Sequence, residues 1–191
     1  MKAQAGICAE PNLHALYLMF NRTGDGVELA ARLARLPVLW DAVSADFPDA
    51  GFSGLVAVGA EGWDAIYPVA RPPLFRGFMA QEANGQEAPS TPFDLFVQLR
   101  ADRVDVLHHA GQRVMALLAG LVELAEEVRG FRNLDCRDLT GFVDGTENPQ
   151  DEHRAEVALL EGGEFAGGSY VHVQRWVHAM SDWEKLALKE Q

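Results

Sequence analysis

Six consecutive segments between Leu13 and Arg132 constrain the fold more than any other feature of the sequence. Apolar runs at 13–20, 52–59, 93–99 and 121–132 predict strands, and apolar residues at helical spacing predict one helix after the first strand and one before the last. This strand–helix–strand–strand–helix–strand order is typical of a ferredoxin-like fold, in which an antiparallel four-stranded sheet carries both helices on one face. We therefore predict an α+β, ferredoxin-like domain.

Local signals refine this prediction. The first helix extends from Leu29 to Phe47, and Pro37 should kink or divide it. A brief helix is expected within 61–67, followed by a loop of about 25 residues that holds five of the nine prolines. Asp102 stands where the second long helix needs an N-cap.

A second pattern begins after a glycine-rich stretch. Valines alternate with polar and aromatic residues from Ser169 to His178, which predicts a strand, and Ser181 is the expected N-cap of a helix that continues to the last residue. One strand and one short helix cannot form a sheet of their own. We therefore expect the chain to be the N-terminal part of a longer protein, or to be completed by another chain. The predicted division is 1–133, an N-terminal domain; 134–167, a loop and linker; and 168–191, the start of a second ferredoxin-like unit, as in dimeric α+β barrels.

Charge and composition exclude several classes of function. The formal net charge is −12, and the basic residues form no patch, so nucleic acid and anionic membranes are poor partners. No apolar run approaches the roughly 18 residues of a membrane span, and the N-terminus lacks the apolar core of a signal peptide. The sequence favours a cytoplasmic protein, with Cys8 and Cys136 as reduced thiols.

The segment "LTGFVDGTENP", Leu139 to Pro149, is the strongest candidate for chemistry. It places Asp144 between Gly141 and Gly145, on backbone that can approach a bound group closely. An Asp-Gly pair often marks no more than a turn, whereas a partly buried carboxylate here would serve as a general base. Six acids between Asp135 and Glu152 leave two further alternatives open, a hard-cation site and a solvated acidic surface.

The sequence "GFVDGTENP" resembles the distal haem loop of the dye-decolorising peroxidases, whose motif is glycine, two variable residues, aspartate and glycine. The segments "QAGI", "VAVGAEGWDAI" and "GGSYVHVQRWVH" extend the resemblance through the whole chain. It implies a haem b peroxidase built from two ferredoxin-like halves, acting on hydrogen peroxide and a small-molecule or dye-like electron donor. It also implies a homo-oligomer, in the cytoplasm or inside an encapsulin-type compartment.

The resemblance assigns roles to five residues. Asp144 would be the catalytic residue that moves a proton between the two oxygens of peroxide, and Gly145, Thr146, Glu147 and Asn148 would lie against the haem or support the loop. The axial histidine and the distal arginine of the family would lie beyond residue 191, so the chain as given should bind haem weakly and be inactive.

The six histidines are not expected to replace the axial ligand. His108 and His109 are adjacent on a predicted helix and point about 100° apart, and His172 and His178 favour packing or surface roles. For Tyr170, Trp176 and Trp183, packing is favoured over oxidation of bulky donors. Two other functions stay open: a haem-binding or iron-handling protein on the same scaffold, and a ferredoxin-like interaction module without haem.

Overall fold

The computed structural model describes residues 3–68, 71–187 and 189. Its strands are β1 (His14–Arg22), β2 (Ser53–Val58), β3 (Gln81–Ala83), β4 (Gln86–Ala88), β5 (Leu95–Ala101) and β6 (Val122–Phe131). Its helices are α1 (Gly26–Leu33), α2 (Leu36–Asp46), α3 (Trp63–Ile66), α4 (Val104–Leu118), α5 (His153–Ala158) and α6 (Met180–Trp183), with a 3₁₀ turn at Pro48–Ala50. In these described ranges, no helix has the length and apolar character needed to cross a membrane.

The main sheet has four antiparallel strands in the order β2-β5-β1-β6. This order confirms the predicted ferredoxin-like fold, because the first and third strands of the repeat lie at the centre and the second and fourth at the edges. The pairing of β1 with β6 shifts register between Met19 and Phe20, whose partners are Glu126 and Leu124, so the extra residue lies on β6.

The core lies between one face of this sheet and helices α1, α2 and α4. In β5 the alternation of the sequence becomes an alternation of burial, since Leu95, Val97, Leu99 and Ala101 are completely buried and the residues between them are partly exposed. The helices contribute a matching set of buried residues: Leu29, Leu33, Leu36, Trp40, Val43, Val106, Ala110, Val114 and Leu118.

The first predicted helix is two helices, as the proline indicated. Asp25 caps α1 by accepting a hydrogen bond from the Glu28 amide at 2.8 Å. Helix α2 begins at Leu36, so Pro37 lies in its first turn, where the missing N–H leaves no carbonyl unpaired. The division lets both helices turn apolar residues toward the same sheet.

The expected N-cap role of Asp102 is wrong. Helix α4 has Arg103 at its N-cap position, without a side-chain hydrogen bond. The Asp102 carboxylate instead accepts from the Leu13 amide at 2.9 Å and from Asn12 Nδ2 at 3.3 Å. The rules for helix caps consider only neighbouring residues, so they cannot include this contact with a residue that is distant in the sequence.

The N-terminal segment, residues 3–11, is fixed to the sheet. The Gln4 side chain pairs with both backbone groups of Val56 on the edge strand β2, donating to its carbonyl at 2.8 Å and accepting from its amide at 2.9 Å. Arg100 on β5 donates to the Gly6 carbonyl at 2.7 Å. Burial lowers the pKa of the Arg100 guanidinium from its ordinary value.

The proline-rich loop contains an element that the sequence pattern did not predict. Strands β3 and β4 pair there as a short antiparallel hairpin, turned by Asn84 and Gly85 in left-handed conformations. All six residues of these two strands are exposed, so the sequence has no apolar alternation there that would predict strands.

The predictions for the C-terminal stretch are corrected by the structure. Residues 169–178 form no strand, and neither of the sheets in the described part of the chain includes them. Alternation gives a segment two faces, but a strand exists only where a neighbouring backbone takes its hydrogen bonds. The helix expected after Ser181 begins at Met180, with Ala179 as N-cap, and ends at Trp183; its predicted continuation through residues 188, 190 and 191 lies outside the described residues.

Candidate functional site

The candidate loop follows β6 and folds back on itself. The Asp144 amide donates to the Cys136 carbonyl at 2.9 Å, and Arg137 and Val143 form an isolated antiparallel bridge. Arg137 Nη1 also donates to the Gly141 carbonyl at 2.8 Å. Residues 136–144 are therefore a closed turn that places Asp144 at its exit.

Asp138 organises the interior of this turn. One carboxylate oxygen accepts hydrogen bonds from the Thr140 hydroxyl at 2.7 Å, the Thr140 amide at 2.9 Å and the Phe142 amide at 3.1 Å. The hydrogen bond from the Thr140 side chain is the main reason that the pKa of Asp138 lies below its usual value, with smaller contributions from backbone amides. A charged Asp138 is thus part of the loop's folded form.

The two glycines meet a conformational requirement. Gly141 and Gly145 have φ of +96° and +77°, a region that other residues occupy only under strain. After Gly145 the chain turns again, with the Asn148 amide donating to the Gly145 carbonyl at 3.1 Å. A Cβ atom at Gly145 would lie 2.7 Å from Asn148 Nδ2, so a larger residue would displace the asparagine.

The predicted site residues separate into two groups. Gly145 and Asn148 are in contact, which agrees with a supporting role for the asparagine. The side chains of Asp144, Thr146 and Glu147 are exposed, and within the described residues none of them has a hydrogen-bond partner. The Asp144 carboxylate is therefore open to a ligand or a proton.

The surroundings of this carboxylate are apolar for an exposed loop. Leu139, Phe142 and Val143 precede Asp144 closely in the sequence and are 61%, 57% and 45% exposed, and exposed apolar side chains suit contact with another apolar group. Phe142 packs against Trp183 with ring centroids 6.1 Å apart. Beside them lies a shallow cavity of about 310 Å³, lined by Thr140, His178, Ala179, Met180, Asp182, Trp183 and Leu186.

These residues fit one wall of a haem pocket but do not supply a metal centre. A glycine turn, exposed apolar side chains and an open carboxylate suit the face of a flat apolar cofactor. Across 3–68, 71–187 and 189, no three His, Cys, Asp or Glu side chains are grouped to hold a metal ion. Several histidines have other contacts: His109 with Phe47, His172 with Phe78, His153 with Glu156, and His108 in a small cavity between α4 and β6.

The aromatic candidates have different environments. Tyr170 packs on Phe75 and donates its hydroxyl to the Pro73 carbonyl, so the predicted packing role is confirmed. Trp176 is 75% exposed, which rules out core packing in the described structure.

Sequence reasoning missed two features of the site. Asp138 had a readable signal, since an aspartate two residues before a threonine often binds the backbone ahead of it. The pair of Glu10 and Arg154, separated by 144 residues and joined at 2.5 Å and 2.9 Å, had none.

Comparisons with known proteins identify the family of the chain. The protein-family model described as "Dyp-type peroxidase, N-terminal" matches residues 4–132, and the family model described as "Dyp-type peroxidase, C-terminal" matches residues 135–191. The chain is 35% identical over 180 residues to the dye-decolorizing peroxidase of Mycobacterium tuberculosis, and 37% identical over 182 residues to that of Rhodococcus erythropolis. The alignments include 93% of this chain in both cases but 54% and 53% of the relatives, so the chain spans about half of their length.

Solved structures show the same relation. A protein from Shewanella oneidensis assigned to the Dyp type of peroxidases is 48% identical, with a TM-score of 0.93 over 98% of this chain and 62% of that one. The encapsulated DyP-type peroxidase from Mycobacterium smegmatis is 31% identical, with a TM-score of 0.93 over 99% of this chain and 62% of its own. Sequence and fold thus lead to one conclusion: the chain belongs to the Dyp-type peroxidase family.

Proposed function

We propose that the protein containing this chain is a haem-dependent peroxidase of the dye-decolorising type, and that Asp144 transfers the proton that the reaction requires. The observation that carries the proposal is the open Asp144 carboxylate, held at the exit of a closed turn whose preceding residues include exposed apolar side chains. Family membership supports the reaction class.

The chain's residues have defined tasks in this proposal. Gly145, Thr146, Glu147 and Asn148 line the haem or support the loop, and the exposed Leu139, Phe142 and Val143 exclude water from that wall. When bound, haem supplies the redox centre at which hydrogen peroxide is reduced and a small organic donor is oxidised. Asp144 takes a proton from one peroxide oxygen and returns it to the other, which is general acid–base catalysis.

We assign neither the axial histidine nor the distal arginine to residues of this chain. His109, His153 and His172 contact other side chains, and His178 lines the shallow cavity together with Thr140. By this assignment the chain alone binds haem weakly and turns over no peroxide.

The first experiment compares this chain with a longer protein, one that also includes the part of its relatives' length that this chain does not span. Each is titrated with hemin while the Soret band is recorded. We expect weak binding to the chain and stoichiometric binding to the longer protein. Strong histidine-ligated binding to the chain alone would contradict the assignment of the axial ligand. Stoichiometric binding to the longer protein without peroxide turnover would favour haem handling over peroxidase function.

The second experiment tests the proton-transfer group in the haem-loaded longer protein. We expect Asp144→Asn to slow the reaction with peroxide by about 100-fold or more, because the amide cannot accept and return a proton. Glu161→Gln is the matched control, since it removes an exposed carboxylate that lies outside the proposed site, and we expect less than about threefold from it. Equal rates for Asp144→Asn and the unaltered protein would refute the role of Asp144.

We also propose a homo-oligomeric protein, in the cytoplasm or within an encapsulin-type compartment. The encapsulated relative from Mycobacterium smegmatis supports this proposal. Light scattering of the longer protein, alone and with an encapsulin shell, tests both statements.

A further inference from the structure

The guanidinium group of Arg154 binds the C-terminal end of the Asp144 loop, which comprises Leu139 to Pro149. Arg154, in the first turn of α5, donates from Nε to the Pro149 carbonyl at 3.2 Å and from Nη2 to Gln150 Oε1 at 3.3 Å. Pro149 is the fifth residue after Asp144, so Arg154 contacts the chain immediately after the proposed site.

The same guanidinium binds the N-terminal segment. Its Nη1 and Nη2 donate to the two carboxylate oxygens of Glu10 at 2.5 Å and 2.9 Å, the forked geometry that arginine forms with a carboxylate. Only 17% of the Arg154 side chain is exposed, although Glu10 is open to solvent. We call these two residues the Glu10–Arg154 clamp.

The N-terminal segment is itself anchored to the sheet, through Gln4 on Val56 and through Arg100 on Gly6. The N-terminal segment therefore links β2 and β5, through its own backbone, to Glu10, and the hydrogen bonds of Arg154 link Glu10 to the exit of the loop.

The other polar contacts of the loop cannot replace this series. The side chains of Asp138 and Arg137 bind groups within residues 135–142, and the Arg137 backbone bonds to Asn133, so these contacts fix the shape of the turn and none of them reaches β2 or β5. Phe142 packs on Trp183, which belongs to α6 and not to the sheet.

We propose that Arg154 is a positioning residue, and that the Glu10–Arg154 clamp sets the place of the Asp144 loop relative to the sheet. The catalytic consequence rests on the proposed function, whereas the positioning itself does not.

Hydrogen exchange followed by mass spectrometry tests the positioning on the 191-residue chain. We expect Arg154→Gln to speed exchange in peptides covering 139–150 by about tenfold, because all contacts of the guanidinium are lost. Glu10→Gln should speed exchange in the same peptides by about threefold, since it weakens only the ion pair. Peptides from β5 should exchange as in the unaltered chain.

Two further variants separate positioning from charge and from general stability. Arg154→Lys keeps the charge but not the fork, so we expect an intermediate effect on 139–150. Arg113→Gln removes another partly exposed arginine, which pairs with Asp46 at 3.3 Å, and should leave 139–150 unchanged. Unaltered loop exchange in Arg154→Gln would overturn the proposal, and so would equal acceleration in β5.

In the haem-loaded longer protein, Arg154→Gln should lower kcat/KM for peroxide about tenfold and shift the acidic limb of its pH profile, while KM for the donor stays constant. Faster loop exchange with an unchanged peroxide reaction would support the positioning and refute its catalytic consequence, whereas the proton-transfer role of Asp144 is tested separately by Asp144→Asn. The two proposals therefore fail in distinguishable ways.

Discussion

Substitution of Gly54 by alanine should destabilise the domain, because this glycine lies under a tryptophan. Trp40 of α2 packs its indole on the backbone of β2 at Gly54, and it is only 8% exposed. An added Cβ would meet three ring atoms, Cδ2, Cε2 and Cε3, at 2.8 Å, 2.9 Å and 3.0 Å, whereas ordinary contact begins at 3.4 Å. The ring, or the whole of α2, must move away from the sheet.

The size of the effect follows from two opposing contributions. Overpacking of this kind costs about 1–3 kcal/mol, and the lower chain entropy of the unfolded alanine variant returns about 0.4–1 kcal/mol. We therefore expect Gly54→Ala to lower the free energy of unfolding by about 1–2 kcal/mol, or Tm by roughly 2–8 °C in a protein of this size.

Urea unfolding followed by far-ultraviolet circular dichroism measures this loss. Gly162→Ala is the matched control, because an added Cβ there meets no atom within 4 Å, and its midpoint should not fall and should rise by no more than the entropy contribution of about 0.4–1 kcal/mol. In the Trp40→Leu background, Gly54→Ala should cost less than about 0.5 kcal/mol, since the ring it would strike is gone. A Gly54→Ala midpoint equal to that of the control, or an undiminished cost in the Trp40→Leu background, would refute the proposed clash.

Two other outcomes follow from the described contacts. The pKa of Asp138 is lowered in the folded loop, so the stabilisation it provides is complete above the ordinary aspartate pKa of about 3.9 and is lost as pH falls through the lower folded value. Exchange protection of residues 139–150 should therefore decrease in acid, and Asp138→Asn should remove this pH dependence; a profile identical to that of the unaltered chain would contradict it. Leu99→Ala should cost about 2–5 kcal/mol in urea unfolding because Leu99 is completely buried, whereas Val38→Ala, at a side chain that is 70% exposed, should cost less than about 0.5 kcal/mol; equal losses would contradict the assigned core.

Several features of the site followed from short-range sequence signals. Pro37 divided the first helix where it was expected, and the alternation in 93–99 became the buried and exposed faces of β5. Gly141 and Gly145 have the left-handed conformations that make glycine useful in such a loop. These predictions succeeded because each depends on residues within one turn or one strand.

Other features depended on contacts that no local pattern contains. Asp102 does not cap α4, because its carboxylate binds the Leu13 amide. Residues 169–178 have the alternation of a strand but no partner strand among the described residues. Glu10 and Arg154 are 144 residues apart in the chain and meet only in the folded structure.

The sequence by itself determined the order of the six ferredoxin-like elements between Leu13 and Arg132, their apolar faces and the composition of the Asp144 loop, since these follow from periodicity and backbone chemistry. Only the tertiary structure decided which residues distant in the chain share hydrogen bonds, and hence where that loop lies on the domain. The reason is physical: a polar side chain has few bonding positions, and which group takes them depends on what the whole fold brings within about 3 Å.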